Sequence, residues 1–120
     1  MPNPVVYFEI PADDLQCARA FYENTFGWSI STFADNYFSV VTKEKGGPGI
    51  DGGLMKRVHS QQPFANYVQV DSIDRFHKVI EANGGTVVLP KQAIPGAGWY
   101  SAFKDPEGNI LGLHELEKKK

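Results

Sequence analysis

Eight side chains concentrate the chemistry this sequence can do: Tyr7, Glu9, Met55, Arg57, Tyr67, Gln69, Trp99 and His114. Together they have the make-up of a small-molecule site, aromatic and apolar walls with a few convergent polar groups. Tyr7 and Glu9 alternate along one strand-like run and share a face. A carboxylate there can act as a base, or it can be a solvated Glu paired with Arg57. Tyr67 and Gln69 repeat that pattern in the second half, as ligand contacts or as a hydrogen-bonded cluster filling the sheet. His114 lies two residues after Gly112 on the same strand face. It reads as an acid–base group or displaced metal ligand, or as an edge residue with no located partner. Trp99 follows Gly96-Ala97-Gly98 and either closes over the cavity or anchors that loop to the core.

The remaining reactive residues carry less. His59 sits in a polar linker and His77 on a helix beside Phe76 and Ile80, both read as structural or surface residues. Cys17 has only Arg19 as a nearby cation and no base, and reads as an inert thiol. The run Gly46-Gly47-Pro48-Gly49-Ile50-Asp51-Gly52-Gly53 leads into a strand rather than a helix, which argues against a phosphate-binding loop.

The elements that must position these residues follow from periodicity. Val5 to Ile10 alternates as a strand, with Val6, Phe8 and Ile10 toward the core and Val5, Tyr7 and Glu9 away from it. Asp13 and Asp14 start a helix carrying Leu15, Ala18, Phe21 and Tyr22, which stops near Gly27. Trp28–Phe33, Tyr37–Thr42 and Ile50–Arg57 read as strands, and His59–Pro63 as a linker. The order then starts again. A strand over Asn66–Val70 precedes a helix with Ile73, Phe76, His77 and Ile80 that ends at Gly84-Gly85. Thr86–Leu89 is a strand, Pro90–Gly98 a loop, and Trp99–Phe103 and Ile110–Leu116 are strands around a turn at Asp105-Pro106-Glu107-Gly108-Asn109. Each half reads strand, helix, three strands, with Asp14 matched to Asp74 and Arg57 to Leu116. One such half alone leaves a sheet face bare, so two are expected to pair.

Composition narrows the function classes. The 120 residues suit one domain, with modules at about 4–58 and 64–117. Lys plus Arg is 12 against 14 Asp plus Glu, a net charge of −2 that argues against nucleic acid as a partner. No apolar run approaches a membrane span, and the single cysteine fits a reducing, cytoplasmic setting. The final Lys118-Lys119-Lys120 reads as a solvated tail.

The βαβββ-βαβββ order, with Phe8-Glu9-Ile10-Pro11-Ala12-Asp13-Asp14, Ala20-Phe21-Tyr22-Glu23, Phe26-Gly27-Trp28, Val70-Asp71, Glu81-Ala82-Asn83-Gly84-Gly85 and Asp105-Pro106-Glu107-Gly108-Asn109 followed by Leu113, resembles the vicinal oxygen chelate superfamily. That group includes glyoxalase I, extradiol dioxygenases, and bleomycin- and fosfomycin-resistance proteins. The resemblance implies an α+β fold in which two βαβββ modules form a half-barrel sheet around a single cleft, helices outside. It also implies a homodimer. Metalloenzymes of the superfamily take His, Glu or Gln ligands from the first and last strands of each half. Counted from shared landmarks, those positions hold Tyr7, Ala65 (Asn66 if the register slips) and Gly112. The fourth falls within Leu54–Arg57, which offers no carboxylate, His or Gln.

The expected function is therefore binding of a small organic molecule in the cleft without the usual metal, and no cofactor. The alternative is a lyase, isomerase or dioxygenase using a non-standard divalent metal site that involves Glu9 or His114. A third reading is an interaction or regulatory module whose exposed strand edges pair with a second subunit.

Overall fold

Two capping residues fix where the helices begin. The Asp14 carboxylate accepts the Cys17 N–H at 3.0 Å and starts α1, Leu15–Phe26. The Ser72 hydroxyl accepts the Arg75 N–H at 3.1 Å and starts α2, Ile73–Ala82. Ser72 is thus the counterpart of Asp14, in place of Asp74, which lies in the first turn of α2. Gly27 ends α1 at φ 73°, a left-handed backbone that favours glycine, and its N–H reaches the Glu23 carbonyl at 3.0 Å.

The computed structural model describes residues 2–58 and 64–117, so the expected linker at 59–63 and the lysine tail lie outside the described residues. Around the helices run β1 Val5–Ala12, β2 Ser29–Ala34, β3 Tyr37–Val41, β4 Gly52–Lys56, β5 Ala65–Gln69, β6 Thr86–Ile94, β7 Gly98–Lys104 and β8 Ile110–Glu115. The fold class is α+β, built as two βαβββ modules. In the first, the strand order is β2-β3-β4-β1, with β1 parallel to β4 and the other pairs antiparallel. In the second it is β5-β8-β7-β6, with β5 parallel to β8. The compact units are Tyr7–Ala65 and Met1–Val6 with Asn66–Lys120. The division falls inside β1, because the chain before Tyr7 bonds to the second unit: the Gln69 N–H reaches the Pro4 carbonyl at 2.9 Å.

In the first unit Phe8, Ile30, Phe38, Val40 and Leu54 form the buried core under α1, which lays Leu15, Ala18 and Tyr22 against it. Trp28 precedes β2 rather than opening it and packs on this core, its ring 5.0 Å from that of Tyr22 and stacked. The second core joins Val70, Ile73 and Leu113 with Phe76, Ile80, Trp99 and Phe103. Two polar groups are buried on this helix side. The Ser101 hydroxyl pairs with His77 Nε2 at 2.8 Å. Glu115 Oε1 accepts the Ile73 N–H at 2.8 Å and lies 3.8 Å from Lys91 Nζ. Glu115 thus satisfies an amide at the α2 N-terminus that would otherwise be buried without an acceptor. Glu115→Ala is expected to cost about 2 kcal/mol in urea unfolding, while Glu115→Gln, which keeps an acceptor oxygen, costs less than half of that.

One segment departs from its expected form. Pro90 to Ile94 continues β6 instead of forming a loop. Pro90 has no N–H for a ladder, but among the described residues β6 is an edge strand paired with β7 alone, and its register slips between Leu89 and Gln92. An edge strand with an irregularity accommodates proline. Among the described residues no helix is long and apolar enough to cross a membrane.

Candidate functional site

Alternation puts the candidate residues of the first unit on the sheet face opposite α1. Register partners share a face, so Glu9 stands beside Gly53, and Pro11 beside Met55, which in turn pairs with Tyr37. The face carries a hydrogen-bonded chain. The Tyr37 hydroxyl donates to Glu9 Oε2 at 2.8 Å. The Tyr7 hydroxyl is hydrogen-bonded to the Tyr37 hydroxyl. Tyr37 has one proton and gives it to Glu9, so Tyr7 is the donor in the second bond. Gly53 makes room for this arrangement: a Cβ there would collide with the Tyr37 hydroxyl and lie 2.8 Å from its Cε1.

Burial raises the Tyr37 pKa well above the ordinary phenol range, and the neighbouring Glu9 charge raises it further. Burial likewise raises the Tyr7 pKa, opposed by its bond to Tyr37 and reinforced by Glu9. Both folded values stand above the unfolded value of about 10. The native state therefore holds protons that the unfolded chain releases above that pH. The phenols' contribution to stability is present below about pH 10 and is lost as pH rises beyond it. Urea unfolding between about pH 9 and pH 11 is expected to show falling stability, with a shallower slope in Tyr37→Phe.

Tyr37 was not legible as a site residue. It reads as one more aromatic of a strand, and only the β3–β4 register brings it to Glu9. Arg57 lies just past β4, with Nε 3.1 Å from Asp13 Oδ1 and Nη2 3.3 Å from the Pro11 carbonyl.

In the second unit the same logic gathers Tyr67, Gln69 and His114. Gln69 pairs with His114 and Tyr67 with Gly112 across β5–β8, and Tyr100 pairs with His114 across β7–β8. Trp99 lies on the other face: it packs against the core under α2, with Lys91 Nζ 4.8 Å from its ring centroid. It anchors its hairpin and is not brought together with Tyr67 or His114. The surface also has a 570 Å³ groove between the start of α1 and the β2–β3 turn, lined among others by Asp13, Asp14, Asp35 and Lys56. It contains none of the eight candidates. The hydrogen-bonded face is the better site, because it joins the side chains of Tyr7, Glu9 and Tyr37 from two strands, whereas the groove's lysine, Lys56, donates to a backbone oxygen, the Asp13 carbonyl, at 2.6 Å.

Aligning the units on their buried leucines, Leu54 and Leu113, makes Gly53 the counterpart of Gly112, Tyr7 of Ala65, Met55 of His114 and Tyr37 of Tyr100. The fourth position expected within Leu54–Arg57 is thus Gly53, one residue earlier. A Cβ on Gly112 would run into the Tyr67 ring, as one on Gly53 would run into Tyr37. The four positions at which the resemblance leads one to expect metal ligands hold two glycines overlaid by tyrosines, an alanine, and a phenol whose pKa is raised. This donor set does not fit a divalent metal, which needs carboxylate, imidazole or thiolate donors. Among the described residues no group of three or more His, Cys, Asp or Glu could hold one.

The sequence profile of the Glyoxalase/Bleomycin resistance protein/Dioxygenase superfamily matches residues 5–113, and the chain belongs to that superfamily. It is similar to a glyoxylase-like domain-containing protein of Didymella fabae, 27% identical over 112 residues and 88% of each chain. It is also similar to the anthracycline biosynthesis protein DnrV of Streptomyces peucetius, 22% identical over 133 residues, covering 93% of this chain and 46% of DnrV. The chain spans about half the length of DnrV and of other curated relatives that it matches. Among solved structures, methylmalonyl-CoA epimerase from Mycobacterium tuberculosis has the same fold, with a TM-score of 0.68 at 13% identity over 95% of this chain and 88% of the epimerase.

Proposed function

We propose that this superfamily member binds a small organic molecule without a resident metal, on the sheet face that carries Tyr7, Glu9 and Tyr37. The observation that carries the reading is the hydrogen-bonded chain among those three side chains. It supplies oriented polar groups flanked by aromatic and Met55 surface, as ligand sites do. The unsuitability of Tyr7, Gly53, Ala65 and Gly112 as ligands favours metal independence over the superfamily's metal-assisted chemistry. An orienting chain also limits side-chain motion, so less freedom is lost when a ligand docks.

Ligand-detected NMR on chelator-stripped protein tests it, with a library of aromatic fragments below about 300 Da. Hits are expected whose Kd is unchanged by added Zn²⁺, Ni²⁺ or Mn²⁺ and weakened about tenfold or more by Tyr37→Phe, a loss of one oriented hydrogen bond in a charged chain. Binding or turnover that appears only when metal is restored would reject the reading in favour of a lyase, isomerase or dioxygenase with a non-standard site.

A further inference from the structure

β2 is an edge strand of the first unit, and the register fixes which of its backbone groups face away from the sheet. The Lys56 N–H reaches the Asn36 carbonyl at 2.9 Å, so Asn36 bonds toward β4. Bonding direction alternates along an antiparallel strand. Phe38 and Val40 therefore also bond toward β4, and Tyr37, Ser39 and Val41 toward β2. The partners Ser31 and Ser29 turn their backbone groups inward, which leaves those of Ile30 and Thr32 pointing outward. Consistent with that, the Ile30 N–H is met by a side chain, Glu23 Oε2, at a long 3.4 Å. The edge strand of the second unit, β6, carries Pro90 and Lys91, residue types that obstruct strand pairing. β2 reads Ser29-Ile30-Ser31-Thr32-Phe33-Ala34, with neither charge nor proline.

We propose that β2 is a self-association edge, on which a second copy of this chain pairs its own β2 antiparallel about a two-fold axis at Ser31. In that register Ile30 of each copy stands opposite Thr32 of the other. Each such pair exchanges two N–H···O=C bonds, so the four outward groups of each copy are all matched. A two-fold moved to Thr32 would need Ala34, which is engaged by Tyr37, and one moved to Ile30 would need Trp28, which lies outside the strand. Glu23 yields the Ile30 N–H and keeps its ion pair with Arg19 at 3.4 Å. No charged side chain lies on β2, so the copies meet without like charges at the seam. Phe33, 67% exposed and edge-on to Tyr37, falls beside Ser29 of the second copy and gains cover there. A second copy fits better than an unrelated strand because the outward pattern is its own complement. The seam is short, in the class below about 1,200 Å² that forms weak, concentration-dependent pairs. The pairing does not depend on what binds beside Tyr37.

Cysteine cross-linking reads the register directly, in a Cys17→Ser background that removes the exposed native thiol. At a two-fold, non-hydrogen-bonded pair the Ser31 Cα atoms stand about 4.5 Å apart, within disulfide reach. The Ser29 Cα atoms are four residues apart along the seam, about 14 Å, and out of reach. Ser31→Cys is therefore expected to give at least about tenfold more covalent dimer than Ser29→Cys under a mild oxidant. Sedimentation equilibrium of the unsubstituted chain, from about 10 μM to about 1 mM, is expected to show monomer and dimer, with the dimer weakened at least about tenfold by Thr32→Pro. That substitution removes an outward N–H and leaves the β2–β3 bonds in place. Calorimetry shows whether this variant folds; if it does not, the two cysteine variants decide alone. A monomer at about 1 mM, or equal cross-linking of the two cysteine variants, overturns the inference. A dimer indifferent to a folded Thr32→Pro also overturns it and assigns self-association to another surface.

Discussion

Gly98→Ala is expected to destabilise the protein by about 4 kcal/mol and to lower its melting midpoint by more than about 10 °C. Gly96→Ala, two residues away in the same hairpin, is expected to cost only about 1 kcal/mol. Both glycines have positive φ, 75° at Gly96 and 106° at Gly98, so both substitutions carry backbone strain. The surroundings separate them. A Cβ on Gly96 meets nothing within 4 Å. One on Gly98 lands on the Glu115 carbonyl oxygen and lies 2.8 Å from the Glu117 amide nitrogen. Those are backbone atoms, and β8 cannot yield without breaking the Trp99–Glu115 pairing of β7 with β8. Glu115 also holds the first amide of α2, so a shift of β8 loosens the helix as well. Differential scanning calorimetry of the two variants checks the ranking. Equal midpoints would mean that the close approach at Gly98 does not govern the hairpin.

That contrast shows what the sequence made legible and what it did not. The repeated strand–helix–three-strand order is readable because Asp14, Gly27 and Gly84 are local signals, each acting through a cap or a turn within a few residues, although the α2 cap falls at Ser72 and not at the Asp74 that the repeat spacing suggests. The faces of β1 and β5 were readable for the same reason, since alternation needs no knowledge of a partner strand. Tyr7 with Glu9, and Tyr67 with Gln69, were therefore assigned correctly to a shared face. Residues defined by register were not readable. Tyr37 reaches Glu9 only because β3 and β1 both flank β4, and Gly53 stands out only when Tyr37 is seen above it. Glu115 is buried because α2 begins over it, a contact that no local signal in the sequence announces. The edge strand through Pro90 was hidden by a residue type that usually ends strands, and only its lack of a second neighbour explains it.

The second large effect is a coupling. Gly112→Ala is expected to cost about 3 kcal/mol in wild-type protein and less than about 1.5 kcal/mol when Tyr67 is already alanine. The Tyr67 ring lies over Gly112, its register partner, with three ring atoms inside the contact distance of a Cβ. Adding a methyl group must turn the ring off the strand. Tyr67 is half-buried, so the turned ring loses packing and strains its rotamer instead of simply moving into water. Tyr67→Ala alone costs stability through lost contacts, but it removes the obstacle, so the double variant should be more stable than the two single effects predict. Urea unfolding of the four proteins in the cycle measures this. Additivity within about 0.5 kcal/mol would show that the ring does not require the glycine. Coupling would give Gly112 a positive reason to be glycine. A protruding ligand at this position and a tyrosine packed over it are mutually exclusive, and the chain has the tyrosine. The first unit makes the same choice with Gly53 and Tyr37, where a Cβ would meet the hydroxyl and two ring carbons. Substitution at Gly53 should therefore displace the Tyr37 ring and break the Glu9 hydrogen bond with it.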